Sequence, residues 1–368
     1  MNISTTRKEL QRAFSKLIKT TQARSQTPLI NYTYISSGAH GVTLHSTDLE
    51  VGIKTTITAS VNTNGEGLFP TTELNDIISV IDEGRVDIEI AGPHINIKSE
   101  NGTSFDIPTL SFQEYPKVPE NKHETVYNIN TSELKKILDT IIYAINKDQL
   151  KPALSGALFS FSEEGLNFVS TDGHRLVVVA KKNESNIIED FIIPKKYLNM
   201  LSSFIQGQKE SSLIFSNNHV FINNDRDVLY SRLIDEKYPN YSAVIPQDNS
   251  YVLKLQKEDF LNSIKATSIA TNKNTNQISL NLALGEVFLK SVNQPESKTV
   301  YAPLKTAEYD GEKISIGFNA TYLKEAIMNY PSEEILFVFK DELSATLLLP
   351  KTKNHKITIL LMPVRINE

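Results

Sequence analysis

The segment Asn130-Thr-Ser-Glu-Leu-Lys-Lys-Ile-Leu-Asp-Thr-Ile-Ile142 reads as an amphipathic helix, and the chain writes that helix three times. The other copies are TRKELQRAFSKLI (Thr6 to Ile18) and QKEDFLNSIKATS (Gln256 to Ser268), so successive starts lie 124 and 126 residues apart. Each copy opens on a cap-like residue (Thr6, Asn130, Gln256), with an acid three positions later at Glu9, Glu133 and Asp259. Acids in a first turn face the positive end of the helix dipole, and Thr6 with Glu9 fits a capping box. Gln256 is a poor cap, so the third copy has the weakest start. Apolar residues recur at i and i+4: Leu10 with Phe14, Leu134 with Leu138, Phe260 with Ile264.

Working outward, a second helix repeats with nearly the same period. PTTELNDIISVI begins at Pro70, PKKYLNMLSSFI at Pro194 and NATYLKEAIMNY at Asn319, with Leu74, Leu198 and Leu323 in register. Proline is a good first helical residue and asparagine a good cap. Ser46-Thr47-Asp48 recurs as Ser170-Thr171-Asp172, and Tyr115-Pro116 as Tyr238-Pro239. Landmarks of unrelated chemistry sharing one period are the signature of an internal repeat. Between them lie short β-branched or aromatic runs such as GLNFVST, LVVVAKK, SLIFS and EILFVFK, bounded by turn residues. Two helices per unit leave few crossovers, so the sheets should be mostly antiparallel. The expected fold class is α+β, in three similar domains spanning 1–122, 123–246 and 247–368, with boundaries near 122 and 246.

Composition bounds the function. The chain has 368 residues, 38 Lys and Arg against 43 Asp and Glu, a formal charge of −5, and 40% hydrophobic residues. That is ordinary globular composition. No cysteine is present, which excludes disulfides, thiolate catalysis and Cys-ligated metal. No signal peptide or membrane-length apolar run is visible, so a soluble, cytoplasmic protein is expected. Over the six predicted helices, 12 cations meet 8 anions, leaving −9 for the remainder. Such segregation would let an acidic protein present a basic helical surface to phosphates, although helix surfaces commonly favour Lys and Arg.

The most conspicuous string is Ser170-Thr-Asp-Gly-His-Arg-Leu176. Read as an enzyme, it would offer Asp172 and His174 as an acid/base pair and Ser170 as nucleophile. No nucleophile-elbow context supports that. A turn held by an Asx interaction, with Gly173 at positive φ, is the stronger reading. The seven histidines, including His40 and His45, show no ligand spacing and read as solvated, so no metal site is expected. Phosphate-loop and dinucleotide glycine patterns are absent, and no cofactor is expected. The C-terminal Ile357-Thr-Ile-Leu-Leu-Met-Pro-Val-Arg-Ile366 is an apolar strand running almost to the chain end. Met362-Pro363 breaks its pairing, and an apolar tail beyond a last strand could line a groove for an apolar peptide.

With these residues assembled, the chain resembles the bacterial sliding clamp family, the beta subunit of DNA polymerase III. The resemblance covers the whole length. It is carried by the three repeats, Thr47-Asp-Leu-Glu50, Thr171-Asp-Gly-His-Arg-Leu176, Tyr238-Pro-Asn-Tyr241 and the terminal Met362-Pro-Val-Arg-Ile366. It implies a ring-forming, head-to-tail homodimer with helices inside and sheets outside. Such a ring slides on duplex DNA, indifferent to sequence, and tethers the polymerase without chemistry of its own. Geometry agrees that one chain is too few. Six helices packed side by side leave a hole of only about 8 Å, and twelve leave about 25 Å. The two groove depths of B-DNA alone sum to about 16 Å.

The resemblance also implies sites. Arg24, Lys151, Lys195 and Lys196 would face DNA. Thr72 and Glu73 stand where the family often has a basic residue. A short partner peptide with a Gln and a Leu-Phe end would enter a pocket made by Leu154, Thr171, Gly173, His174, Arg175 and Leu176. Pro239 and Val244 would add to it, as would Leu361, Met362, Pro363, Val364 and Arg365 from the tail. Ala243, and Asn367 with Glu368, depart from the family at its rim. Subunit contacts would involve Leu110 and Ile269. Expected partners are the DNA polymerase III alpha subunit, the clamp loader, other polymerases and repair proteins, with no membrane. The rival readings are a three-domain hydrolase using Asp172, His174 and Ser170, and a repeat scaffold without nucleic acid.

Overall fold

A computed structural model describes residues 1–21, 27–38, 41–120, 125–148, 150–272, 275–350 and 356–366. Six α-helices occur among them: α1 (Arg7–Leu17), α2 (Thr71–Val80), α3 (Thr131–Ile141), α4 (Lys195–Phe204), α5 (Lys257–Ser268) and α6 (Ala320–Met328). These are the two helices of each repeat. Every strand pairing among the described residues is antiparallel, as short connections require.

The helix starts follow local chemistry. Thr6 caps α1 by accepting from the Glu9 amide, and Asn319 caps α6 by accepting from Thr321 and Tyr322. Gln256 makes no side-chain cap, in keeping with its weak signal. Two expectations need correction. Pro70 is the extended residue before α2 and Pro194 ends the strand before α4, so neither is a first helical residue. The fixed φ of proline suits that extended position equally well. Glu9 does not return to Thr6 to complete a capping box; its carboxylate accepts from the Thr58 amide at 2.9 Å and from Arg226 at 3.2 Å.

The i, i+4 pairs Leu10 and Phe14, Leu134 and Leu138, and Phe260 and Ile264 are all fully buried. Each such side chain contributes roughly 1.5–3 kcal/mol of burial. A serine ties a strand to the end of the first helix in each repeat. Ser46 donates to Leu17 O at 3.0 Å, Ser170 to Ile141 O at 2.6 Å and Ser291 to Thr267 O at 2.7 Å. These bonds satisfy carbonyls that a helix C-terminus leaves without partners.

The chain divides into two compact units, one of Met1–Thr131 with Asn199–Leu233, the other of Ser132–Leu198 with Ile234–Glu368. The division cuts through the second repeat because sheets run continuously from one repeat into the next. In the first unit an eight-stranded sheet takes four strands from repeat one and four from repeat two. Its seam pairs Val51–Ile57 with Asp227–Arg232, placing Lys54 opposite Val228. In the second unit the same order recurs, and the seam pairs Arg175–Lys181 with the terminal strand Lys356–Leu361. One half-sheet is left over in each unit. The first unit ends in a five-stranded sheet with Ser104–Pro108 at one edge and Ser60–Thr63 at the other; the second ends in a four-stranded sheet with Lys298–Pro303 at one edge and Ile314–Asn319 at the other.

Candidate functional site

The Thr-Asp turns are built identically in the first two repeats. Thr47 bonds the Val51 carbonyl and the Leu49 amide, while Asp48 accepts from the Glu50 and Val51 amides. Thr171 bonds the Arg175 carbonyl and the Gly173 amide, while Asp172 accepts from the His174 and Arg175 amides. The third residue of each turn has positive φ, +90° at Gly173 and +77° at Leu49. Only glycine takes that region without strain.

This arrangement removes the hydrolase reading. Ser170 is fully buried and donates to Ile141 O, so it has no access to substrate. The Asp172 carboxylate is spent on two amides and on Arg175 Nε at 3.0 Å. His174 is exposed and stacks on Tyr322 at 5.7 Å, and among the described residues no carboxylate or hydroxyl hydrogen-bonds its ring. No cluster of metal-ligating side chains occurs among the described residues. His40, His123 and His355 lie outside them. His45 is not solvated as expected. It is 4% exposed, bonds Tyr230 at 2.7 Å, and is driven down to a pKa of about 4 by burial and by Lys54. The second repeat and the Tyr115 loop cover it, which strand alternation alone could not reveal.

Arg175 is a structural node. It is 4% exposed; Nη1 reaches Glu325 at 2.6 Å and Nη2 the Tyr143 carbonyl at 2.8 Å. Its guanidinium lies 5.0 Å from the Tyr143 ring and 4.7 Å from the Tyr322 ring. Beside it, Leu176 joins Leu158, Val169, Val178, Ile192, Tyr238, Leu347 and Leu360 in one apolar cluster, with Leu154, Tyr241 and Ile245 packed against it. The tail borders this cluster. Met362 donates its amide to His174 O at 2.9 Å, and its side chain is 42% exposed.

Most of the expected pocket residues therefore converge. Leu154 is half-buried on the cluster; Leu176 and Leu361 are buried; Pro239 and Val244 stand exposed beside Tyr238 and Tyr241. Thr171, Gly173 and His174 form the turn at one end. Arg175 lies behind it with its donors engaged, Pro363 is half-buried, and Val364 and Arg365 turn away. The Val364 amide bonds Gly317 O and the Arg365 carbonyl accepts from Gln277, on the four-stranded sheet. Missed from the sequence were Leu360 and Val178, which read as generic strand residues, and the Arg175 partners Glu325, Tyr143 and Tyr322.

The basic residues are less uniform than expected. Lys151 is exposed and Lys196 half-buried, whereas Lys195 donates to Ile145 O at 2.9 Å and its pKa is lowered by burial, with Lys147 and Arg175 adding to the effect. In α1, Arg7 pairs with Glu83, while Arg12 and Lys16 pair with the buried Asp227 of the first seam. Those cations serve the fold. Arg24, Asn367 and Glu368 lie outside the described residues. Leu110 is 40% and Ile269 79% exposed. None of the helices among the described residues is long and apolar enough to cross a membrane.

Comparison with known proteins gives this arrangement a family. The models of the N-terminal, central and C-terminal domains of the DNA polymerase III beta subunit match residues 1–119, 128–240 and 242–365. The chain is 24% identical to the beta sliding clamp of Pseudomonas putida over all of both chains. It is 23% identical to that of Bacillus subtilis over 99% of this chain and 100% of the other. Among solved structures, a sliding clamp from Bartonella birtlesii bound to griselimycin superposes with a TM-score of 0.93 at 25% identity, covering all of both chains. With three consecutive domain models matched in order along nearly its whole length, the chain belongs to the DNA polymerase III beta subunit family.

Proposed function

We infer that the chain is a DNA sliding clamp, a non-catalytic processivity subunit. It closes head to tail with a second copy around duplex DNA and tethers the replicative polymerase. The observation that carries this is the pair of leftover half-sheets. Each internal seam completes one continuous sheet, of eight strands in the first unit and nine in the second, from two halves, and a second copy would complete the remaining ones in the same way. Leu304 N donates inward to Val287 O and Thr109 N to Pro93 O. By strand alternation, Thr299 and Tyr301 on one edge, and Ser104 and Asp106 on the other, point their amides outward. The two edges differ, so their contact is heterologous, and two copies close it. Exposed Leu110 and Ile269 are proposed as apolar contacts flanking these edges.

The repeats are taken as domains 1–122, 123–246 and 247–368. Lys151 and Lys196 are proposed to meet phosphates and Lys195 to do so weakly, since its ammonium is held by Ile145 O; Arg24 is carried by the family alone. Retention on DNA is by linkage, so each contact can be weak, sequence-independent and salt-sensitive. The apolar cluster beside the Gly173 turn is proposed to receive the Leu-Phe end of partner peptides. These would come from the DNA polymerase III alpha subunit, the clamp loader, other polymerases and repair proteins. Buried Leu176 and Leu361 form its floor, and Val244, Met362 and Leu154 its rim. The protein would work in the cytoplasm at the nucleoid.

A direct test uses the absence of cysteine. The repeat places Tyr301 where Lys54 stands and Ser104 where Val228 stands, and Lys54 and Val228 are directly paired. Cα atoms of such a pair lie about 5.5 Å apart, within disulfide reach. Ser104→Cys with Tyr301→Cys should give a covalent dimer on oxidation that stays on nicked circular DNA and slips off once the DNA is linearised. A monomer under those conditions overturns the reading. A dimer indifferent to DNA topology would return the chain to the scaffold class.

A further inference from the structure

A cavity of about 390 Å³ lies on the eight-stranded sheet of the first unit. Its floor is a line of residues paired across adjacent strands, Tyr34 opposite His45 and His45 opposite Lys54, and buried Leu68 continues the line opposite Tyr34. The second repeat has the same line in the same register, Ile192 opposite Leu158, Leu158 opposite Val169, Val169 opposite Val178. That second line is the floor of the apolar cluster beside the Gly173 turn. Tyr115 covers the first as Tyr238 belongs to the second. The first repeat therefore carries the same cleft with three apolar floor residues replaced by a phenol, an imidazole and an ammonium.

The replacements change what the cleft can hold. Tyr34 stacks on Tyr115 at 5.8 Å and meets Phe112 at 6.3 Å, so its middle is an aromatic slot. Phe112, at the mouth, is 36% exposed. On one side stands Lys54, and Lys117 lines the same cavity; among the described residues neither has an acidic partner. Glu66 lines the same cavity as Tyr34, whose hydroxyl it helps hold in the protonated form, and sits three strands away from Lys54. Strand spacing and rise put the two charges about 15 Å apart, the length of four to five extended residues. An apolar peptide end would strand Lys54 without water or counter-charge, which disfavours it.

We propose that this cavity is a second peptide site, taking a short extended segment of a partner protein with an aromatic side chain between an acidic and a basic residue. The acidic residue lies toward Lys54 and Lys117, the ring enters the Tyr34–Tyr115–Phe112 slot, and the basic residue reaches Glu66. The site stands on the repeat register and does not depend on encirclement of DNA.

The chain contains no tryptophan, so emission from a peptide tryptophan reports binding alone. The probe is the pentapeptide Asp-Gly-Trp-Gly-Lys, titrated with the full-length chain and followed by fluorescence anisotropy. Saturable binding is expected, weakened at least tenfold by Lys54→Gln and by Glu66→Gln, with neither change expected to disturb the fold. Unaltered melting temperatures would verify this. A competitor peptide ending in Leu-Phe should not displace the probe. The proposal is overturned by absence of saturable binding up to millimolar chain, by unchanged affinity in both variants, or by displacement with the Leu-Phe peptide. None of these outcomes bears on the Ser104–Tyr301 cross-link.

Discussion

Arg175 and Glu325 form an ion pair at 2.6 Å that joins the Gly173 turn of the second repeat to α6 of the third. Asp172 holds the same guanidinium at 3.0 Å, and two tyrosine rings enclose it. Arg175→Ala leaves two carboxylates facing each other in a partly buried site and should destabilise the chain by about 3 kcal/mol. Glu325→Ala should cost only about 1 kcal/mol, because Glu325 is 36% exposed and Asp172 still compensates Arg175. Denaturant midpoints measure both. Equal, negligible effects would mean the pair is incidental.

Val244, 56% exposed beside the apolar cluster, can be changed without touching the core. Val244→Asp should leave the melting temperature unchanged and weaken a labelled Leu-Phe-ended peptide at least tenfold, about 1.4 kcal/mol. Anisotropy titration is the measurement, and unchanged affinity would remove Val244 from the rim.

His45 links the first seam to pH. Burial holds its folded pKa near 4, against 6.5 for the free side chain. Between those values the unfolded chain binds the extra proton, so stability falls as pH drops from about 6.5 toward 4 and this contribution is flat above. The loss approaches ~3 kcal/mol at the acid end. His219, lowered by burial and Arg232, acts in the same direction. Unfolding free energies at pH 7 and pH 5 should differ less in His45→Gln than in the parent. An identical pH slope would dissociate His45 from acid sensitivity.

DNA contact through Lys196 predicts a small, sequence-independent effect. Lys196→Ala should reduce the slope of log K against log salt by about one, equally on unrelated duplexes. A sequence-dependent loss would contradict retention by linkage.

Much of the architecture was legible because it was written three times. The helices, the Thr-Asp turn and the interrupted tail each carry a local signal. What escaped notice was non-local. Ser291 repeats the latch of Ser46 and Ser170, yet Val292 and Asn293 follow it where Thr-Asp follows the others, so the string is unrecognisable. Leu360 and Val178 look like any core strand residue until Arg175–Lys181 is seen to pair with Lys356–Leu361. The cations of α1 suggested a basic face, but Asp227, more than 200 positions away, neutralises Arg12 and Lys16. Charge counted along a helix does not reveal what another strand brings to it.

The half-sheets set where such a ring can part. Its inner seams are spanned by polypeptide, which holds their two sides at high effective concentration even when hydrogen bonds break. The seams between copies rest on a ladder of the same kind with no chain across them. Once opened, those edges drift apart freely, so an endless duplex can be admitted there while every module stays folded.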